Sequence, residues 1–128
     1  MPEVCCVFFE AGACTLEDAA TALAGQGLTI QRESGYLVAG RPGAPQFRVT
    51  LSQALHVQRE AAAIAAGTPH ESAMGRFSAR FEIAIDDLEE ALEEINTLME
   101  VQGALQDASR GYLFLPWNGS LTRPWQAG

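Results

Sequence analysis

The chain has 128 residues, and its 16 acidic residues outnumber its 8 basic residues, all arginine, to give a net charge of −8. This balance disfavours nucleic acid as a partner, because phosphate backbones bind basic surfaces, and it favours a basic protein. The longest apolar runs are far shorter than the roughly 20 residues that span a bilayer, so a membrane protein is not expected.

The first half of the chain predicts a helix among four strands. Residues 4–10 are almost wholly apolar, which is typical of a strand buried on both faces. Thr15 and Asp18 have the spacing of a helix capping box, and Ser34-Gly35 is typical of a tight hairpin. Strands are therefore predicted over residues 4–10, 28–33, 36–39 and 46–51, and a helix over 16–24.

The second half alternates helices and strands. Residues 77–85 alternate apolar and polar side chains, which predicts a half-buried strand that runs directly into an acidic helix. That helix has apolar residues at spacings of three and four, which predicts that they pack on the sheet. These residues are Leu88, Leu92, Ile95 and Met99, widened by Ala91 and Leu98. Helices are predicted over residues 54–66 and 87–109, and a last strand over 112–115.

The order β-α-β-β-β-α-β-α-β predicts an α+β fold. We expect a mostly antiparallel sheet with helices on one face, a variant of the ferredoxin-like sandwich, with the first strand near the centre. The length fits a single domain over residues 1–128, in which 116–128 form a tail containing tryptophan and proline.

The most conspicuous surface feature is an acidic ridge on the predicted helix 87–109. Acidic residues in a first turn complement the helix dipole, and an exposed charged face is their simplest interpretation. Glu89 and Glu93, however, repel each other at i,i+4 with no basic residue before Arg110, as on a surface that binds a basic partner. The residues of the ridge are Asp86, Glu89, Glu90, Glu93, Glu94 and Glu100.

Two tryptophans, Trp117 and Trp125, follow the last predicted strand. They either cover the sheet or anchor a partner or a second subunit, a role in which tryptophan is over-represented. With the acidic ridge, they resemble in physical character the small acidic immunity proteins that neutralise basic nuclease toxins, although no motif is shared. The resemblance implies a non-catalytic inhibitor, with the ridge and both tryptophans contacting a basic partner such as a toxin.

The alternative function is a ligand-sensing regulatory domain that dimerises through its sheet. Arg48 and Thr50 on one strand, and Arg80 and Glu82 on another, point away from the buried side. If these strands are neighbours, cross-strand charge pairing explains the four residues, or Arg48, Arg80 and Glu82 bind a small anionic metabolite.

Catalysis, metal binding and cofactor binding have little support in the sequence. His56 and Glu60 share a helix face at i,i+4, but a zinc site needs three or four ligands. No phosphate-binding loop or nucleophile arrangement is present, so we expect neither an enzyme nor a cofactor. Cys5 and Cys6 are predicted to be buried thiols, and Cys14 is a candidate reactive thiol. The sequence has no secretory signal, so we expect a cytoplasmic protein.

Overall fold

The computed structural model describes residues 3–124, which form seven strands and five helices. The strands are β1 (Glu3–Phe9), β2 (Thr29–Glu33), β3 (Tyr36–Gly40), β4 (Gln46–Ser52), β5 (Ala79–Ile85), β6 (Tyr112–Leu115) and β7 (Ser120–Thr122). The helices are α1 (Leu16–Gly25), α2 (Leu55–Ala65), α3 (Glu71–Met74), α4 (Leu88–Glu93) and α5 (Ile95–Ser109). The predicted α+β fold is confirmed.

All seven strands belong to one antiparallel sheet in the order β2-β3-β4-β5-β1-β6-β7. β1 lies between β5 and β6, with Cys6 opposite Glu82 on one side and opposite Phe114 on the other. Its predicted interior position is therefore confirmed. The residues from Cys5 to Phe9 are all buried because both faces of the sheet are covered there.

Local sequence signals account for several element boundaries. Thr15 and Asp18 form the predicted capping box at the start of α1, with two side-chain to backbone hydrogen bonds of 3.0 Å. Gly35 has φ +87° in the β2–β3 turn, and Gly119 has φ +72° in the turn after β6. The second turn leads into β7, so the predicted tail 116–128 contains a short strand.

Two hydrophobic clusters lie on opposite faces of the sheet. α1, α4 and α5 cover the larger cluster, which includes Phe47 and Phe81. α2 and α3 cover a smaller cluster with Cys6 and Phe8 of β1. The helices are therefore not all on one face, because the two-sided apolar pattern of β1 requires a cover on each side.

The predicted helix 87–109 is two helices, with a break at Glu94 (φ −107°, ψ 46°). The break follows acidic pairs at i,i+4, Glu89 with Glu93 and Glu90 with Glu94, whose repulsion opposes a continuous helix. Among the helices of the described residues, none combines the length and hydropathy required to cross a membrane.

Candidate functional site

The buried face of α4 and α5 matches the prediction only in part: Leu88, Ala91 and Leu98 contact the core, and the other three predicted residues do not. Leu98, Val101 and Leu105 are buried, whereas Leu92, Ile95 and Met99 are 46%, 39% and 58% exposed. On α5, the buried side is turned by roughly 100° from the side of Ile95 and Met99, the rotation of one helical residue. The prediction that Leu92, Ile95 and Met99 pack on the sheet is wrong, because α5 packs on the core through Leu98, Val101 and Leu105 and lies close to α1.

We call these three exposed residues the apolar strip. Ile95 and Met99 are four residues apart and share one side of α5, and Leu92 lies on α4 just before the break at Glu94. Beside Met99 is a shallow depression of about 520 Å³, lined also by Gln26 and Gly103. The strip is therefore a set of three large apolar side chains in contact with solvent.

Acidic side chains lie beside the apolar strip. Glu89, Glu90, Glu93 and Glu94 are all exposed. Within residues 3–124, none of the four forms an ion pair, because the paired acids are elsewhere. We call these four residues the acidic flank.

Two members of the predicted ridge differ from the acidic flank because arginines neutralise them. Asp86 accepts a hydrogen bond of 3.0 Å from Arg48 Nη2, and both side chains are exposed. Glu100 is half-buried and pairs with Arg41 Nη2 at 2.5 Å. The ridge therefore divides into a neutralised part and an unneutralised part.

Asp87, which precedes α4, accepts a hydrogen bond from the Glu90 amide and caps the helix.

The tryptophans lie apart from these acids in the chain. Trp117 is half-buried and packs against the larger hydrophobic cluster, which is the sheet-covering role weighed from the sequence. Trp125, the other predicted partner contact, lies outside the described residues. The candidate surface is therefore built from α4 and the first turns of α5.

The alternative ligand residues do not all lie together: Arg48 is opposite Ala84 and pairs with Asp86, whereas Arg80 is opposite Ser52. β4 and β5 are neighbours, and Thr50 is directly opposite Glu82. Arg80, however, lies under α2 with its side chain only 13% exposed, and its guanidinium contacts the carboxylates of both Glu60 and Glu82. Its Cζ also lies 5.5 Å from the centre of the Phe8 ring. Two carboxylates already neutralise this arginine, which leaves little positive charge to attract an anion.

His56 and Glu60, weighed as metal ligands, are part of the same cluster. Glu60 binds the Arg80 guanidinium, and His56 Nε2 lies 3.3 Å from Arg80 Nη2. Both side chains therefore surround a cation already present in the protein.

All three thiols are buried. Burial raises the pKa of Cys5 and of Cys14 to about 11 and that of Cys6 to about 12. A thiol reacts as its thiolate, so the structure does not support Cys14 as a reactive group.

The chain matches no known family model, curated protein or solved structure in the comparisons made. The site is therefore interpreted from its own residues.

Sequence reasoning found the acidic flank but missed the apolar strip, since the same three residues also fit a buried stripe. The only signal was a second possible stripe through Leu98, Val101 and Leu105 on the same helix.

Proposed function

We propose that the protein is a non-catalytic binding module that engages a basic protein through α4 and the first turns of α5. The observation that carries this proposal is the apolar strip beside the acidic flank. Its most concrete form is an inhibitor of the immunity-protein kind, whose partner is a basic toxin.

The apolar strip supports association by burial. Leu92, Ile95 and Met99 are 46%, 39% and 58% exposed, and a partner that covers them removes apolar surface from water. Protein interfaces commonly have an apolar centre and a polar rim. The strip and the acidic flank have that arrangement.

The acidic flank supports the choice of partner. Four exposed carboxylates without an arginine partner among the described residues attract positive charge at a distance. Such complementarity raises association rates and selects against acidic partners. A simply solvated face explains the acids but gives no role to three large apolar groups beside them.

The proposal is tested by affinity capture of the tagged full chain from its native host, washed at low and at high salt. A stoichiometric basic partner that salt releases is expected, because surface charge attraction is screened at high ionic strength. The variant E90R/E93R is expected to lose this partner, and Leu92→Ser to weaken capture while leaving thermal stability nearly unchanged.

The matched control is the variant E10R/E33R. Each Glu→Arg change adds two positive charges, so both double variants change the net charge from −8 to −4. Glu10 and Glu33 are exposed and lie outside α4 and α5. If the control loses the partner equally, or if E90R/E93R keeps it, α4 is not the binding surface and the proposal fails.

A further inference from the structure

A second feature, independent of the proposed function, is a cleft of about 760 Å³ at one end of the sheet. It lies where β1 ends and where β5 and β6 begin, against the C-terminal turn of α5. This volume is within the range of roughly 300–1,000 Å³ typical of small-molecule sites.

The cleft brings together four charges that do not neutralise one another. Arg76 and Arg110 line it, as do Glu10 and Asp107, and all four side chains are exposed. Within residues 3–124, no ion pair involves any of them. Two cations and two anions in one cleft complement a ligand that itself carries both signs of charge.

Arg110 has an unusual backbone conformation. Its φ of 57° and ψ of 36° are left-handed, and it is the only non-glycine residue with positive φ among those described. Glycine commonly fills this position after a helix because it has no Cβ. A non-glycine residue held there at a conformational cost suggests a functional side chain.

Gln106 adds a side-chain amide to the same cleft. It is 8% exposed, and its Nε2 donates to the carbonyls of Gly111, Thr122 and Arg123 at 3.3, 3.1 and 3.3 Å. Its Oε1 accepts no hydrogen bond from the described residues.

Two aromatic residues are in the lining, the half-buried Tyr112 and the buried Phe77, and His70 lies behind Tyr112 outside the lining. The rings of Phe77 and Tyr112 lie 5.7 Å apart, and the ring of His70 meets Tyr112 edge-on at 5.1 Å. Aromatic surfaces of this kind pack against planar or large apolar groups.

We infer that the cleft binds a small zwitterion with an aromatic side group, the chemistry of a free aromatic amino acid. Arg76 and Arg110 bind its carboxylate. Glu10 and Asp107 accept hydrogen bonds from its ammonium, and the aromatic group packs on the Tyr112 ring.

The test is isothermal titration of the full chain with L-phenylalanine and two blocked analogues. N-acetyl-L-phenylalanine keeps the carboxylate alone, and L-phenylalaninamide keeps the amino group alone. Saturable binding of phenylalanine is expected, with each analogue at least about tenfold weaker, because each lacks one charge contact. Absence of saturation up to about 10 mM, or equal binding of the three probes, overturns the inference.

The variant Arg110→Gly separates binding from folding. Glycine adopts the left-handed conformation without strain, so the melting temperature is expected to stay equal or to rise while phenylalanine affinity falls at least about tenfold. Arg59→Ala, at an exposed arginine on α2 outside the cleft, is the control and is expected to bind as the parent does. Unchanged affinity in Arg110→Gly contradicts the inference, whatever the result of partner capture.

Discussion

Arg41 and Glu100 form a half-buried ion pair, with Arg41 Nη2 2.5 Å from Glu100 Oε2. The same guanidinium donates to the backbone carbonyls of Gln26 and Gly27 at 3.2 and 3.3 Å. It therefore joins the end of α1 to α5, and the charge of Glu100 contributes to the stability of the fold through this ion pair.

Glu100→Ala is expected to lower the free energy of unfolding by about 1 kcal/mol, because a partly buried pair and its geometry are lost. Urea denaturation at low salt measures the change. Binding of a basic partner is expected to stay within about twofold of the parent. A tenfold weaker partner affinity at unchanged stability would instead place Glu100 in the binding surface.

The neighbouring residues Leu98 and Met99 test the orientation of α5. Leu98 is fully buried, so Leu98→Ala is expected to cost about 2–5 kcal/mol of unfolding free energy. Met99 is 58% exposed, so Met99→Ala is expected to cost less than about 0.5 kcal/mol. Chemical denaturation of both variants checks this, and similar losses at the two positions would contradict the observed rotation.

Strong local patterns made much of the fold predictable. β5 alternates strictly, and its side chains are buried and partly exposed in turn. The capping box of Thr15 and the Gly35 hairpin are set by adjacent residues, so they needed no knowledge of the rest of the chain. The orientation of α5 was not predictable in this way, because two apolar stripes compete and only packing against α1 selects one.

Arg80 is expected to stabilise the fold, whereas the sequence left it as either a partner in charge pairing or a ligand contact. Arg80→Met keeps an apolar stem beside Phe8 but leaves the carboxylates of Glu60 and Glu82 without their shared cation. A loss of about 1–3 kcal/mol in unfolding free energy is expected by denaturation. Arg59→Met, on the exposed side of α2, is the control, and an equal loss there would disprove a specific role for the Arg80 cluster.

The predicted ligand site illustrates what one sequence leaves undetermined. Alternation correctly put Arg80 and Glu82 on one face of β5 and beside β4. Alternation does not predict that α2 covers this end of the face or that Glu60 reaches Arg80. Both features depend on contacts between residues 20 positions apart in the chain. Such tertiary contacts leave no periodic signal in the sequence.

The thiols are expected to react slowly in the folded protein. Burial raises the pKa of Cys5 and Cys14 to about 11, which lowers their thiolate fraction roughly 100-fold relative to the ordinary value. A colorimetric thiol reagent at pH 8 is expected to detect three thiols rapidly in denaturant and none rapidly without it. Fast reaction of one thiol in the native protein would show that it is accessible.

The same pKa shifts predict a loss of stability in alkali. Above pH 9.0, the thiols of the unfolded chain ionise, while burial keeps the folded thiols protonated up to about pH 11 for Cys5 and about pH 12 for Cys6. The folded state therefore binds more protons, so the free energy of unfolding falls as pH rises through this window. Cys6→Ala removes one such group. The free energy of unfolding of this variant is expected to fall less steeply than that of the parent when denaturation is followed from pH 8 to 11. An unchanged slope would exclude Cys6 as a cause.

The interior position of β1 has a consequence for biosynthesis. Cys6 pairs with Glu82 and with Phe114, so β1 leaves the ribosome well before either of its neighbours. At roughly 5–20 residues per second, translation needs about 5–20 s to supply the second neighbour. Meanwhile β2, β3 and β4 meet only sequence neighbours and can pair early. A chaperone is thus expected to bind the apolar segment of β1 in preference to the other parts of the nascent chain.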